Sequence, residues 1–555
     1  MAIGSPQLTR CNSSGSTLRD TDPLPPSRLP DREKSHHSHE SMPDTLLGQG
    51  KALEKTSEDH KERNGSKQII TMPLSDPEHP NNWSKSRKAL VLCAGIMTVI
   101  HSTLGSSLPS NAVQYITRYY GVTSTIQQVL PISIFLVGYV FMPTIVGPIS
   151  EDQGRKPVML ISFVFFILST MACAVAPTWG SFLFFRFVNG LAASAPIACV
   201  GGIFADINAD PRARGRTMAL FMAATTFGPC VAPPLSGFIA ENISWRWVFG
   251  VATIFAVATL PCVLLLPETY APVLLSKRAA RLRKETGNQN IVAQSDLQKR
   301  SFKYIVTVVM ARPIRMLLTE LIVSSTCLYL ALIYAIFYLY FEAYPIIFLG
   351  PDSVYKFSPG LAGLTFLPIA VGSVIAVGMF LLWDFKLARA QAQNEPWSQR
   401  EESRRLPLAL VGGPLLGAST FWLGWTARED ISFWAPTLSG IVFGMGFILI
   451  FMAMLNYLSD AYMTYAASAQ GIASTCRSLG GALLPLAANK MFTNLGIAKA
   501  CSTLGALSLA LSAVPFLFVA FGPKLRAKSK FCQEIHALHQ KELEEKENHD
   551  RSQQV

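Results

Sequence analysis

About twelve apolar stretches of roughly 18 to 25 residues recur along the chain, each long enough to cross a hydrocarbon core of ~30 Å as a helix. A single soluble core could not bury that much apolar surface. Half of the 555 residues are hydrophobic, 15% are charged and the mean hydropathy is +0.30, the composition of a polytopic membrane protein. Because a bilayer interior accepts only backbone whose polar groups are satisfied within the fold, the stretches are expected to be helices. They fall near 88–109, 124–146, 157–176, 180–205, 216–240 and 246–266, then 316–343, 360–383, 407–426, 433–457, 466–491 and 498–522. A polar, basic break at 267–315 separates six from six. The expected fold is therefore an all-α membrane protein, twelve transmembrane helices in two six-helix bundles with a cavity between them. The expected divisions are a disordered tail at 1–87, a bundle at 88–266, the central loop at 267–315, a second bundle at 316–523 and a tail at 524–555.

The formal charge of +12 could suggest nucleic acid, but the cations fall where membrane topology would put them. Arg155 and Lys156, the arginines at 212, 214 and 216, the run from Lys277 to Arg315, the segment Lys386 to Arg405 and the segment Lys524 to Lys530 share one side of a twelve-span chain. The positive-inside rule then puts both termini in the cytosol, and no nucleic-acid partner is expected. Arg428, on the other side, is offset by Glu429 and Asp430. Ten cysteines are scattered singly, without a CxxC spacing, and read as small buried apolar residues. The His-rich SHHSHE run at 35–40 has no folded frame and reads as linker, so no metal is expected. Asn12, Asn64 and Asn82 open sequons that would face the cytosol; Asn242 would face outward, close to the membrane, as a weak glycosylation acceptor.

Between the second and third spans lies GPISEDQGRKP, Gly147 to Pro157. Gly154 lets the chain turn or lets helix ends approach, and Glu151 can pair with Arg155 or Lys156, so the loop could latch in one state of a carrier and release in another. The same cations also serve as topogenic charges. The pattern resembles the G-x-x-x-[DE]-[RK]-x-G-[RK]-[RK] loop of the major facilitator superfamily, with Asp152 where a cation is usual. In the fourth span, Arg186 interrupts an apolar run ahead of Asn189 and Gly190. A guanidinium there costs ~2.5 to 3.5 kcal/mol to insert, so it should face the cavity or a partner, unless it snorkels to the interface. The surroundings resemble the R-x-x-[QN]-G motif of proton-coupled exporters, which implies a part in proton coupling. The fifth span reads FGPCVAPPLSG, and Gly228, Pro229, Pro233 and Gly237 form a small-residue, kinked face. It resembles the antiporter motif of that superfamily, with Ala232 and Ser236 replacing glycines.

Tyr334, Tyr338 and Glu342 recur every fourth residue and share one face of the seventh span, with Phe341 beside them. Aromatic rings with one carboxylate suit an amphipathic or cationic organic substrate, although tyrosines are also what a membrane interface favours. Glu342 is the main acid of the carboxy-terminal half available to carry a proton. Asp206, at the inner end of the fourth span, is expected to pair with the arginines that follow it. Asp460, at the inner end of the tenth, reads as a cap or gate contact. The stretches at 456–471, 334–348, 267–287 and 76–88 are similar to those of fungal twelve-spanner drug:proton antiporters, the exporters of drugs, polyamines and toxins. The resemblance covers about 76–523. It implies a proton-coupled exporter in the plasma membrane, with the vacuolar membrane as alternative, acting as a monomer on a small-molecule substrate. No Walker loop, HExxH or nucleophile elbow is present, so no enzymatic activity and no cofactor are expected, and the energy source is an ion gradient. Nutrient uptake and a non-transporting receptor are the competing readings; Pro267-Glu268-Thr269 superficially resembles a sugar-porter motif, although it follows the sixth span.

Overall fold

The computed structural model describes residues 68–73, 75–297, 310–462, 465–529 and 531–533. The SHHSHE run, the sequons at Asn12 and Asn64 and most of the carboxy-terminal tail lie outside them. Ten of the spans are Lys85–Ser107, Thr125–Asp152, Arg155–Val175, Trp179–Asp206, Pro211–Asn242 and Trp245–Leu264, then Leu321–Phe348, Leu367–Ala392, Pro407–Thr426 and Trp434–Tyr462. The last apolar helical stretch, Ser468–Lys528, runs to 61 residues, far too long for one crossing at 1.5 Å per residue. It breaks at Gly496, whose φ of 75° and ψ of 163° turn the chain back, so spans eleven and twelve occupy 466–495 and 497–528. Among the described residues, the all-α membrane protein has twelve helical spans once the last stretch is divided at Gly496.

Local chemistry sets several of the span ends. Ser84 caps the first span by accepting from the Arg87 N–H, and Thr178 with Ser181 forms a reciprocal capping box ahead of the fourth. Successive spans alternate in direction, so the connections that carry Arg155, Asp206, Glu268, Arg405 and Asp460 meet at one end, called here the basic end. In the first bundle, span one packs along span five and span two along span four; in the second, span seven packs along span eleven and span eight along span ten. The large core of the second bundle also takes in Ile132, Leu136, Ala219 and Cys230 from spans two and five. The two bundles therefore share buried surface through spans two and five.

The expectation of an unstructured tail up to residue 87 gives way at residue 68. Strand β1, Gln68–Ile70, pairs in parallel with β2, Ile291–Ala293, a segment that follows the sixth span. A linker helix, Ala271–Thr286, covers the pair, burying Leu275 and Ala279 against Ala293, Ile70 and Met72. Arg278 donates to Asp76 at 2.6 Å, and Arg281 lies 3.3 Å from Glu78. The Glu78 N–H and then the Arg278 guanidinium hold the Asp76 carboxyl below its ordinary value. The period-free, polar sequence of residues 68–84 hid this layer, because its order comes from pairing with a segment two hundred residues away.

Candidate functional site: a cavity between the bundles and charged clusters at the basic end

A narrow cavity of about 20 Å³, room for about one water, lies where the two bundles face each other. Thr103, Tyr139, Thr225 and Pro229 line it from the first bundle, and Tyr334, Phe337, Phe447, Phe451 and Arg477 from the second. The Tyr139 hydroxyl is held by Ser102, which itself donates to the Ala193 carbonyl. Phe337 stacks on Phe447 and Phe447 packs on Phe451, each pair with ring centroids 4.6 Å apart, so one wall is a continuous aromatic surface. The lining, aromatic and apolar with a few polar groups, is that of a small-molecule site, drawn in to a narrow gap in this closed arrangement.

The seventh-span residues divide. Tyr334 lines the cavity, whereas Tyr338 is buried and donates to Ser106 Oγ at 2.7 Å, tying the seventh span to the first across the bundle interface. Phe341 stacks on Phe366 at 4.8 Å, outside the lining. Glu342, half-buried and two turns beyond Tyr334, is also absent from the lining. Helical periodicity correctly gives Tyr334, Tyr338 and Glu342 one face. That face, however, extends about 12 Å along the span, and only its first residue reaches the cavity.

Arg186 is 1% exposed, which excludes the snorkelling alternative. Its guanidinium donates to three backbone carbonyls, Pro131 at 2.8 Å, Gly105 at 2.8 Å and Ser106 at 3.1 Å, and sits 4.6 Å above the Phe135 ring. The arginine thus binds span four to spans one and two, and through Ser106 it abuts Tyr338. Arg477 was missed in the sequence reading. It stands in span eleven, its guanidinium carbon 5.3 Å from the Tyr334 ring, and among the described residues no carboxylate lies within 4.0 Å and its Nε has no hydrogen-bond partner. The signal was available, a lone arginine inside an apolar span, but small polar neighbours such as Ser474, Thr475 and Ser478 blunt the contrast that exposes Arg186 among phenylalanines.

At the basic end, the loop after span two has the expected Glu151–Arg155 pair and adds partners that the sequence did not name. Arg155 is buried; its Nε lies 3.5 Å from Asp206, while Glu151, half-exposed, is 3.9 Å away. Asp206 thus meets Arg155 and accepts from Thr269 at 3.3 Å. The centre of the cluster is Glu268, whose carboxylate accepts from the N–H groups of Arg155 at 2.9 Å, Lys156 at 3.2 Å, Thr269 at 3.0 Å and Tyr270 at 3.0 Å. Gly154, at φ 103°, passes directly beneath it; a Cβ there would collide with Glu268 Oε2. Gly147 lies inside the second span with open space around it. The second bundle has a matching cluster: Arg405 donates to Asp460 at 2.7 Å, and Arg526 pairs with Glu401 and Glu402.

In span five, Gly228 faces span one of its own bundle, where a Cβ would collide with Thr103 Oγ1. Gly237 instead faces the other bundle, against the carbonyl of Pro359, and Pro233 with Pro234 packs on Gly363. Pro229 both kinks the span and accepts from Ser107 at 3.1 Å. Asn111 donates to the Pro359 carbonyl at 2.8 Å and Glu241 accepts from the Gly360 N–H at 3.3 Å, so the bundles are closed against each other at the end opposite the basic one. At the nearby end of span five, Asn242 is exposed with its side-chain nitrogen donating to the Phe238 carbonyl at 2.8 Å.

Comparison with known proteins agrees with this architecture. A family model described as Major Facilitator Superfamily matches residues 94–485. The MFS-type transporter penM of Penicillium rubens is 36% identical over 460 residues, 82% of this chain and 89% of that protein. The multidrug transporter FLU1 of Candida albicans is 35% identical over 82% of this chain and 75% of its own length. The efflux pump FUBT of Fusarium oxysporum is 34% identical over 80% of this chain and 74% of its own. Among solved structures, the proton:xylose symporter XylE superposes with a TM-score of 0.57 at 15% identity, covering 79% of this chain and 96% of that one, a likeness of fold.

Proposed function

Since the chain belongs to the major facilitator superfamily, and is by that membership a multi-pass membrane transporter, we propose that it exports a small organic compound in exchange for protons, by alternating access. The observation that carries this reading is the enclosed aromatic cavity shared by both bundles, in a chain whose relatives include proteins named as efflux pumps and a multidrug transporter. One end of the bundle interface is closed by Gly237, Asn111 and Pro359, and ionic clusters stand at the other. Alternate opening of the two ends would expose the cavity to each side of the membrane in turn. The basic end is the cytosolic one in this reading, both termini are cytosolic, and the plasma membrane is the site of action.

Arg186 and Glu342 are the proposed coupling residues. Arg186 acts through its hold on spans one and two and its contact with Ser106, the acceptor of Tyr338; Glu342 lies one turn beyond Tyr338 and is the acid in this part of the interface available to take up a proton. The loop residues Glu151, Gly154, Arg155 and Lys156, with Asp206 and Glu268, are the proposed gate. The test is proton flux in proteoliposomes under an imposed pH gradient, followed with a pH-sensitive dye while candidate compounds are added. Substrate-dependent proton movement opposite to substrate is expected. Movement in the same direction would replace export with uptake, and no flux with any compound would favour a receptor. Arg186→Ala is expected to abolish coupling and Arg186→Lys to restore it in part, since an ammonium cannot serve three carbonyls in the guanidinium geometry. Wild-type coupling in Arg186→Ala or in Glu342→Gln removes that residue from the mechanism.

A further inference from the structure

The structure assigns the cavity to organic anions: we propose that it selects aromatic compounds bearing a carboxylate, with Arg477 as the counter-charge. The proposal deepens the export reading and rests on it. Among the described residues, Arg477 is the single charged side chain lining the cavity, and no carboxylate joins it there. It is 9% exposed, and among the described residues its Nε has no hydrogen-bond partner and no Asp or Glu lies within 4.0 Å. The contrast with Arg186 is instructive, because that guanidinium spends three of its N–H groups on backbone carbonyls and braces the fold. Arg477 braces nothing by hydrogen bonding. Its neighbours are the faces of Tyr334 and Phe451, 5.3 Å and 5.9 Å from the guanidinium carbon, which hold it in place by cation–π attraction and leave its polar edge to an occupant.

A buried, unpaired cation is costly, and the cost falls when a carboxylate arrives in the bidentate geometry that a guanidinium favours. The same cation repels an ammonium. Beside it, the Phe337–Phe447–Phe451 wall offers flat apolar surface to a planar ring, while the Thr103 and Thr225 hydroxyls on the facing bundle donate to the Val99 and Met222 carbonyls and leave Arg477 as the donor to an anion. The cationic substrate suggested by Glu342 loses its basis at this site, since that carboxylate does not line the cavity.

The test uses the full chain in lipid nanodiscs and a panel of aromatic monocarboxylates, each paired with the neutral amide and the amine of the same skeleton. Binding is read by calorimetry, which needs no gradient and no transport. The wild type is expected to bind at least one carboxylate about tenfold tighter than its amide, the ratio that one charge-assisted contact supplies, and the amine more weakly still. Arg477→Gln should erase the difference between acid and amide, and Arg477→Lys should keep part of it. Equal or tighter binding of the amides or amines by the wild type overturns the proposal, as does a carboxylate preference that survives in folded Arg477→Gln or a panel in which no carboxylate binds at millimolar concentration. Carboxylate binding without proton-driven transport would sink the export reading and leave the anion site standing.

Discussion

Glu268 gathers four backbone N–H groups beneath one carboxylate, and this leaves no room for a side chain at residue 154. Gly154 also holds φ 103° and ψ 158°, a region essentially reserved for glycine, where another residue costs roughly 1–3 kcal/mol. Gly154→Ala is therefore expected to lower the thermal stability of the purified protein and to slow transport, whereas Gly147→Ala, with nothing near its Cβ, should stay within about 0.5 kcal/mol of wild type. Equal melting temperatures for the two variants, measured by heating in detergent and counting the surviving folded fraction, would mean that the loop carries no such load. At this scale the sequence was legible wherever a residue is costly for its surroundings. Arg186 among phenylalanines and Gly154 in a loop announce themselves, because each is an expense that only a specific partner removes. The partners were not legible: Glu268 looked like a fragment of another motif, since two of its four donors, Arg155 and Lys156, stand 113 and 112 residues away in the chain.

Span five shows the same limit for an element. Its glycines and prolines were readable as a face built for close approach, yet sequence spacing alone does not say which neighbour each glycine meets. The structure separates them, Gly228 facing span one within the bundle and Gly237 facing Pro359 across the interface. Gly228→Leu is expected to damage the bundle itself and appear as aggregation or a low melting temperature. Gly237→Leu should fold normally but resist closure at the end opposite the basic one. Overpacking costs roughly 1–3 kcal/mol, which would lower the closed population roughly 5- to 150-fold. Solvent labelling of single cysteines placed near Asn111 reads this directly; a Gly237→Leu protein that labels like wild type would show that the contact is dispensable. The seventh span teaches a related lesson, since Tyr334, Tyr338 and Glu342 share a face as periodicity requires, but the face is longer than the cavity.

For the whole molecule, twelve crossings and a division into two bundles follow from hydropathy, because a bilayer leaves the backbone few alternatives. Span boundaries moved by several residues, mostly because the helices continue past the apolar stretch into the loops, as the second span does to Asp152. What hydropathy could not supply was anything fixed by pairing at long range: the ionic clusters of the two bundles, the closed end between them, and the β1–β2 ladder. That ladder makes the chain enter and leave the first bundle through one doorway, so the path from Gln68 to Ala293 is a nearly closed ring and the linker helix travels with it. The natural seam of the molecule then lies after the ring is complete, not at the last residue of the sixth span. Co-expressing residues 1–300 and 301–555 as separate chains should reassemble a transporter, while moving the cut to follow Gly287, which strands β2 on the wrong fragment, should lower the yield and heat resistance of the assembled pair. Equal recovery from both cuts would mean that the doorway does not hold. If it does hold, gene fission, fusion tags and inserted sensors placed after β2 disturb the first bundle less than those placed before it.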